Sequence, residues 1–202
     1  MQEERMIFII DMVNGFVKEG GLADLGILRI VPTIKEVIKN YDGILVEVKE
    51  CHNIASLEFK NFPPHCLDGT FEAETCDELK EDLKDSYKFY KNSTSALFSK
   101  GLFEFICKNQ PKEIIIMGCC TDICIMNFAI PLKNLFNELG LDIDIVIYEE
   151  AVDTYDSPNH NREEYNDMAF KLMKQSGVIV KSYEKEKSDK EQVKKVYMKE
   201  RV

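Results

Sequence analysis

Short runs of consecutive apolar residues alternate along this chain with longer stretches in which apolar positions recur every three or four residues. The runs Met6 to Ile10, Gly43 to Lys49, Glu113 to Met117, Ile143 to Tyr148 and Gly177 to Lys181 are predicted strands, and Tyr87 to Lys91 completes a set of six. Helical spacing appears over Ile30 to Asn40, Asp77 to Lys84, Leu102 to Lys108, Asp122 to Leu139 and Arg162 to Gln175, and Gly140 and Gly177 supply stop signals for the last two. Strands alternating with helices predict an α/β fold, a single three-layer domain with a parallel six-stranded sheet and helices on both faces, Rossmann-like in arrangement.

Two segments depart from that alternation. Cys51 to Ala73 is a long loop-like insertion holding Pro63, Pro64 and two of the three His residues, and long loops in compact domains are often functional. Glu184 to Val202 is dominated by Lys and Glu, a solvated terminal helix or a frayed tail. With no repeat and no linker in the chain, the expected division is one domain over residues 1–183 and a charged tail over 184–202.

A length of 202 residues allows a substantial core, and 45% hydrophobic with 31% charged residues is the balance of a soluble globular protein. The formal net charge of -10 argues against nucleic-acid partners, which need clustered Lys and Arg. The apolar runs are far too short to span a bilayer, which takes roughly 20 residues. Met1 to Arg5 is charged and lacks the features of a signal peptide. Seven Cys without framework spacing read as free thiols in a reducing, cytoplasmic setting.

One of those thiols sits where chemistry is favoured. In EIIIMGCCTDICI, from Glu113 to Ile125, a buried strand ends at Gly118 and a helix is expected to start at Thr121 or Asp122, either of which suits an N-cap. Cys124 then lies in the first helical turn, where free backbone NH groups and the helix dipole would lower a thiol pKa and could also stabilise an oxyanion. A buried, inert core thiol is the alternative for Cys124, and it is retained for the side chains of Cys119 and Cys120.

Two other strand ends carry possible partners. Asp11 closes the first strand and Lys91 the third. Parallel sheets bind ligands beyond the carboxyl ends of their strands, so Asp11, Lys91 and Cys124 can converge there. A carboxylate at a buried strand end needs a partner such as Lys91, as part of a catalytic group or as a structural ion pair. Lys88 is a possible substitute for Lys91.

Glu50 and His52 stand two apart at the end of the second strand and can share one face, with Cys51 opposite. Glu58 and His65 follow, completing a carboxylate and imidazole set suited to zinc, iron or manganese. A rival structural zinc site of Cys51, His52, His65 and Cys66 suits the geometry less well, because adjacent strand residues diverge.

DMVNGF at Asp11, YKNSTSALF around Lys91 and GCCTDICIMNFA around Cys124 together resemble, in the same order, the three motifs of the isochorismatase-like cysteine hydrolases. The resemblance runs from Met6 to about Val180. It implies Cys124 as nucleophile, Asp11 as general base and then acid, and Lys91 as the residue holding charge and orientation. It also implies a non-proline cis peptide between Cys119 and Cys120, with the NH groups of Cys120 and Cys124 facing the oxyanion.

FPPHCLDGTFEAE and CHNIASLEF resemble the metal loop of the nicotinamidase branch, with His52 and His65 matching ligand positions. That branch usually has Asp at the position of Glu50, often has His at that of Glu58, and places aromatic rings against the substrate where this chain has Phe16 and Phe62. The resemblance therefore implies a divalent metal ion, a small-molecule amide substrate, nicotinamide first among them, and a self-associating enzyme. Hydrolysis of another small amide or carbamoyl compound, or a non-catalytic binding role on the same scaffold, are the alternatives. His160, Asp153 and Asp156 carry no assigned role, and Asp122 is expected as a helix cap.

Overall fold

The computed structural model describes residues 4–189 and 192. Strands β1 (Arg5–Ile10), β2 (Ile44–Glu50), β3 (Tyr87–Lys91), β4 (Glu113–Cys119), β5 (Asp144–Asp153) and β6 (Ile179–Lys181) form one parallel sheet in the order β3-β2-β1-β4-β5-β6. The α/β class and the six strands expected from the alternating pattern are what is observed. In β1, Met6, Phe8 and Ile10 enter one apolar layer and Ile7 and Ile9 the other, the two-residue repeat of a strand covered on both faces.

The helices are α1 (Asn14–Val17), α2 (Val31–Asn40), α3 (Asp77–Lys80), α4 (Leu102–Asn109), α5 (Met126–Leu139) and α6 (Arg162–Gln175). Leu102, Ile106, Phe128, Leu132, Phe136 and Ala169 carry α4, α5 and α6 onto one face of the sheet, while Ile34, Val37 and Leu79 carry α2 and α3 onto the other. Phe8 and Phe128 meet edge to face with centroids 5.4 Å apart, a contact worth about 1 kcal/mol beyond burial.

Three boundaries depart furthest from the sequence expectation. β5 continues through Glu149 and Glu150 to Asp153, because those acids are tied to Lys174, Ser182 and the amide of Tyr183 rather than ending the strand. α3 stops at Lys80 rather than Lys84, and the Leu83 carbonyl is taken by Ser86 and Lys88 side chains. The segment after β4 opens as a wide π-type turn, Thr121–Ile125, before α5 begins. The charged tail starts as a docked helix, with Glu186 accepting from Tyr41 at 2.6 Å and Tyr148 at 3.1 Å; beyond residue 189, apart from 192, it lies outside the described residues.

From β1 the chain builds outward through β2 to β3, then returns to β4 on the other side and builds to β6. The order thus reverses between β1 and β4, where open α/β sheets bind ligands. The two strands close tightly there. Gly118 has φ +117, and a Cβ on it would stand 2.1 Å from the Ile10 carbonyl oxygen, so only glycine fits.

Candidate active site and metal centre

At the carboxyl ends of β1, β2 and β3 and in the turn after β4, four residues meet. Asp11 leaves β1 at φ 54, a conformation rare outside glycine and recurrent at functional sites. Its amide donates to Val48 O at 2.9 Å and its Oδ1 accepts from the Glu50 amide at 2.8 Å. The β2/β3 register sets Lys91 beside Glu50. Lys91 Nζ then reaches Asp11 Oδ2 at 2.8 Å, Glu50 Oε2 at 3.0 Å and Cys124 Sγ at 3.7 Å. Asp11, Glu50 and Cys124 present donor atoms within 4.8 Å of one another. Lys88 is excluded as a substitute, since its Nζ pairs with Glu47 at 2.6 Å.

These groups are buried, so the two carboxyls separate in acidity. Burial pushes Asp11 up to about 6, with the Glu50 charge adding and Lys91 opposing. Burial also acts on Glu50, but Lys91 and His52 overcome it and hold that carboxyl down at about 2. Burial works against the Lys91 ammonium too, yet Asp11, Cys124 and Glu50 keep it well above the ordinary lysine range. Glu50 is therefore a fixed charge near neutral pH, while Asp11 can exchange a proton there.

Cys124 departs from expectation. Thr121 and Asp122 are not the N-cap; Cys120 occupies that position without a side-chain cap, and Ile125 N returns to Cys120 O at 3.1 Å across the π-type turn. Burial pushes the Cys124 thiol well above its ordinary range, with Lys91 pulling the other way. Burial thus opposes the thiolate that the helix start was expected to favour. The peptide between Cys119 and Cys120 is cis, as the motif implies, and Cys119 Sγ donates to Asp11 O at 3.2 Å.

The Lys91 loop is also tied to the Cys124 helix. Pro131 lies inside α5 and lacks the NH that would bond the carbonyl four residues earlier. That carbonyl, of Asn127, accepts from Ser95 Oγ at 2.6 Å. The helix interruption is satisfied by the turn that follows β3.

The metal-ligand residues expected from the sequence also converge: Glu50, His52, Glu58 and His65 offer donor atoms within 4.8 Å of one another. His65 Nδ1 donates to Pro63 O at 2.8 Å and His52 Nδ1 stands 2.7 Å from Asn92 Oδ1. With both Nδ1 atoms bonded to oxygens, the two Nε2 atoms face each other at 3.3 Å. Glu50 Oε1 lies 2.9 Å and Glu58 Oε2 3.7 Å from His52 Nε2. Two imidazole nitrogens and two carboxylates converging this closely fit a divalent cation. The rival site is not assembled, since Cys51 Sγ turns away to Asp68 at 3.4 Å.

Three residues that sequence reasoning missed orient these ligands. Asn92 and Ser56 hold His52, while Thr94 donates to Glu58 Oε1 through its amide at 2.6 Å and its hydroxyl at 3.0 Å. The polar run after Lys91 is the sequence signal for Asn92 and Thr94 and reads equally well as a plain turn, while Ser56 carries none.

Both clusters open into one cleft of about 870 Å³, lined among others by Phe16, Phe62, His65, Cys120, Cys124 and Tyr155. Phe16 and Phe62 flank His65 with ring centroids at 5.6 and 6.2 Å. The volume lies in the range of small-molecule sites. Asp122 and His160, left without chemistry by the sequence, pair at 2.9 Å behind the wall of this cleft. Among the described residues, no helix is long and apolar enough to cross a membrane.

The chain is similar to several known proteins. Nicotinamidase 1 of Arabidopsis thaliana is 27% identical over 175 residues, covering 76% of this chain and 71% of that protein. A probable inactive nicotinamidase of the same plant is 30% identical over 150 residues, 67% of this chain and 73% of its own. A pyrazinamidase of Pyrococcus horikoshii solved in complex with zinc shares the fold at a TM-score of 0.71 and 21% identity, over 89% of this chain and 99% of that one. The isochorismatase domain pattern matches residues 5–185, so the chain belongs to the isochorismatase family.

Proposed function

We propose that this protein is a metal-containing cysteine amidohydrolase that converts nicotinamide to nicotinate and ammonia. One observation carries the reading: Lys91 joins Asp11, Glu50 and Cys124, the same Glu50 is one of the four donors of the second cluster, and Glu50 and Cys124 line one cleft. Kinship does not decide activity, because one relative is named as probably inactive. What favours catalysis here is that nucleophile, proton acceptor and fixed cation are all present and within reach.

In the proposed reaction Asp11 takes the Cys124 proton as Sγ attacks the carboxamide carbon, with the amides of Cys120 and Cys124 facing the developing oxyanion. Asp11 then returns the proton to the departing nitrogen, releasing ammonia and leaving a thioester. Water, deprotonated by Asp11, attacks the acyl carbon; nicotinate leaves and the thiol is restored. Lys91 stays protonated throughout and balances the charge of the buried carboxylates. A divalent ion held by Glu50, His52, Glu58 and His65 would supply a Lewis-acidic anchor for the ring nitrogen, and Phe16 and Phe62 would bound the ring. The free state of all seven cysteines suits a reducing, cytoplasmic setting.

Ammonia release from nicotinamide, measured with and without chelator, tests substrate class and metal dependence together. Cys124→Ala is expected to abolish release while the circular dichroism spectrum stays native. Turnover retained in that variant would exclude the thioester route. An inactive wild-type protein supplied with zinc, iron or manganese would redirect the search to other small amides and carbamoyl compounds.

A further inference from the structure

The turn that carries Cys124 has no side-chain cap at its start, yet it must hold the thiol beside Lys91 and Asp11. Its second residue, Asp122, has a side chain only 8% exposed, and Asp122 Oδ2 lies 2.9 Å from Nε2 of His160. The other oxygen, Oδ1, is buried without a hydrogen-bond partner. His160 comes from the β5–α6 connection, in a tight turn closed by reciprocal bonds between Ser157 and His160 at 3.0 Å. Its Nδ1 bonds Tyr155 O at 3.0 Å, so both ring nitrogens are engaged.

The imidazole is also gripped from both faces. Tyr155 stacks on it at 3.8 Å and 11°, and Tyr165 of α6 at 3.7 Å and 29°. Tyr155 itself lines the cleft beside Cys120 and Cys124. One buried ring thus joins the nucleophile's turn, the cleft wall and α6.

We infer that His160 is a positioning residue, latching the Cys124 turn through Asp122 so that the thiol stays aligned with Lys91 and Asp11. This rests on the reading of Cys124 as nucleophile, though not on nicotinamide as substrate. A side chain that merely filled space between two tyrosines would be replaced by another ring without chemical consequence. A latch would not, because it acts through the hydrogen bond, and loss of that bond leaves the Asp122 carboxylate buried and unpaired.

The test compares His160→Phe, which keeps the stack and loses the bond, with His160→Gln, which keeps a donor able to reach Asp122. The first readout is the rate of iodoacetamide modification of Cys124, followed by peptide mass mapping and needing no substrate. The second is kcat and KM for nicotinamide. His160→Phe is expected to slow both modification and kcat by about tenfold with KM within about twofold, and His160→Gln to recover most of the loss. Modification at the wild-type rate in His160→Phe would overturn the latch, as would equal slowing in both variants. Should His160→Phe not fold, Asp122→Ala cuts the same bond from the other side and must give the same selective loss. If the wild type ignores nicotinamide but the modification rates differ as stated, the substrate reading falls and the latch stands.

Discussion

Glu50 Oε2 stands 3.0 Å from Lys91 Nζ, while Oε1 of the same carboxylate is turned to His52 Nε2 at 2.9 Å. One side chain therefore belongs to two clusters. Parallel pairing of β2 and β3 puts Glu50 and Lys91 side by side at their strand ends, and the two-residue repeat carries His52 to the same side of the chain. The link couples charge in the metal centre to the group that holds Asp11, so a change in either is felt in the other.

The acidities of the two carboxyls predict an activity loss without unfolding. Asp11 must be ionised to receive the thiol proton, and burial sets its pKa at about 6, so kcat/KM should fall with an acid limb near pH 6. Stability moves differently. Asp11 is raised from 3.8, so the folded state binds the extra proton and gains stability as pH falls from about 6 towards 3.8. Glu50 is held at about 2 against 4.5, so its contribution is present above 4.5 and is lost as pH falls through 2. Acidifying from pH 7 to pH 5 should cut kcat/KM about tenfold, reversibly, while the melting temperature holds or rises. A flat kcat/KM over that interval would remove Asp11 as the base.

Asn92 is expected to govern metal affinity without touching the ion. Its Oδ1 lies 2.7 Å from His52 Nδ1 and fixes the ring so that Nε2 faces His65. Removing such an orienting partner costs about 10- to 100-fold in affinity. Asn92→Ala should weaken zinc binding by that factor in a competition titration, whereas Asn92→Asp, which keeps an acceptor, should bind nearly as the wild type does. Equal affinity in all three proteins would mean that Ser56 and packing against Phe59 orient His52 without Asn92.

The ends of β1 and β3 were legible because Asp11 and Lys91 are charged residues with turn formers downstream, that of β4 because Gly118 breaks the apolar run, and topology then brings Asp11, Lys91 and Cys124 together. The metal ligands were legible from the spacing of Glu50 and His52 and from the composition of one long loop. The acidity of Cys124 was not, because the helix start can be read locally whereas burial beneath the cleft is set by the whole fold. Asp122 and His160 are 38 positions apart, and a pairing across that distance leaves no periodic trace. Thr94 and Ser56 look like ordinary turn residues until Glu58 and His52 arrive beside them.

Gly118 tests the close approach of β1 and β4. Its φ of +117 is already unfavourable for any side chain, and an added Cβ would meet backbone, 2.1 Å from Ile10 O, with no flexible group to yield. Gly118→Ala should destabilise the protein by about 3 kcal/mol or more in denaturant titration. Any folded fraction should also lose activity, since Asp11 and Cys119 flank that contact. A loss below about 1 kcal/mol would mean that the strands can part there freely.

Lys91 and Glu50 should be strongly non-additive. Lys91→Met leaves two carboxylates buried without their cation, and removing one partner of a buried ion pair typically costs about 3 to 5 kcal/mol. Glu50→Gln alone leaves Lys91 paired with Asp11 at 2.8 Å, so its cost should be smaller, and without the neighbouring negative charge the acid limb should move to lower pH. The double variant leaves Asp11 as the remaining carboxyl of the three-group cluster, free to take up a proton. It should therefore be more stable than Lys91→Met, with a coupling energy of about 1 to 3 kcal/mol in a double-mutant cycle. Activity should not follow stability, because the double variant still lacks the cation beside Cys124 Sγ. Additive stabilities would show that Glu50 and Lys91 do not act as a pair, and recovered turnover in the double variant would show that chemistry does not require the Lys91 charge.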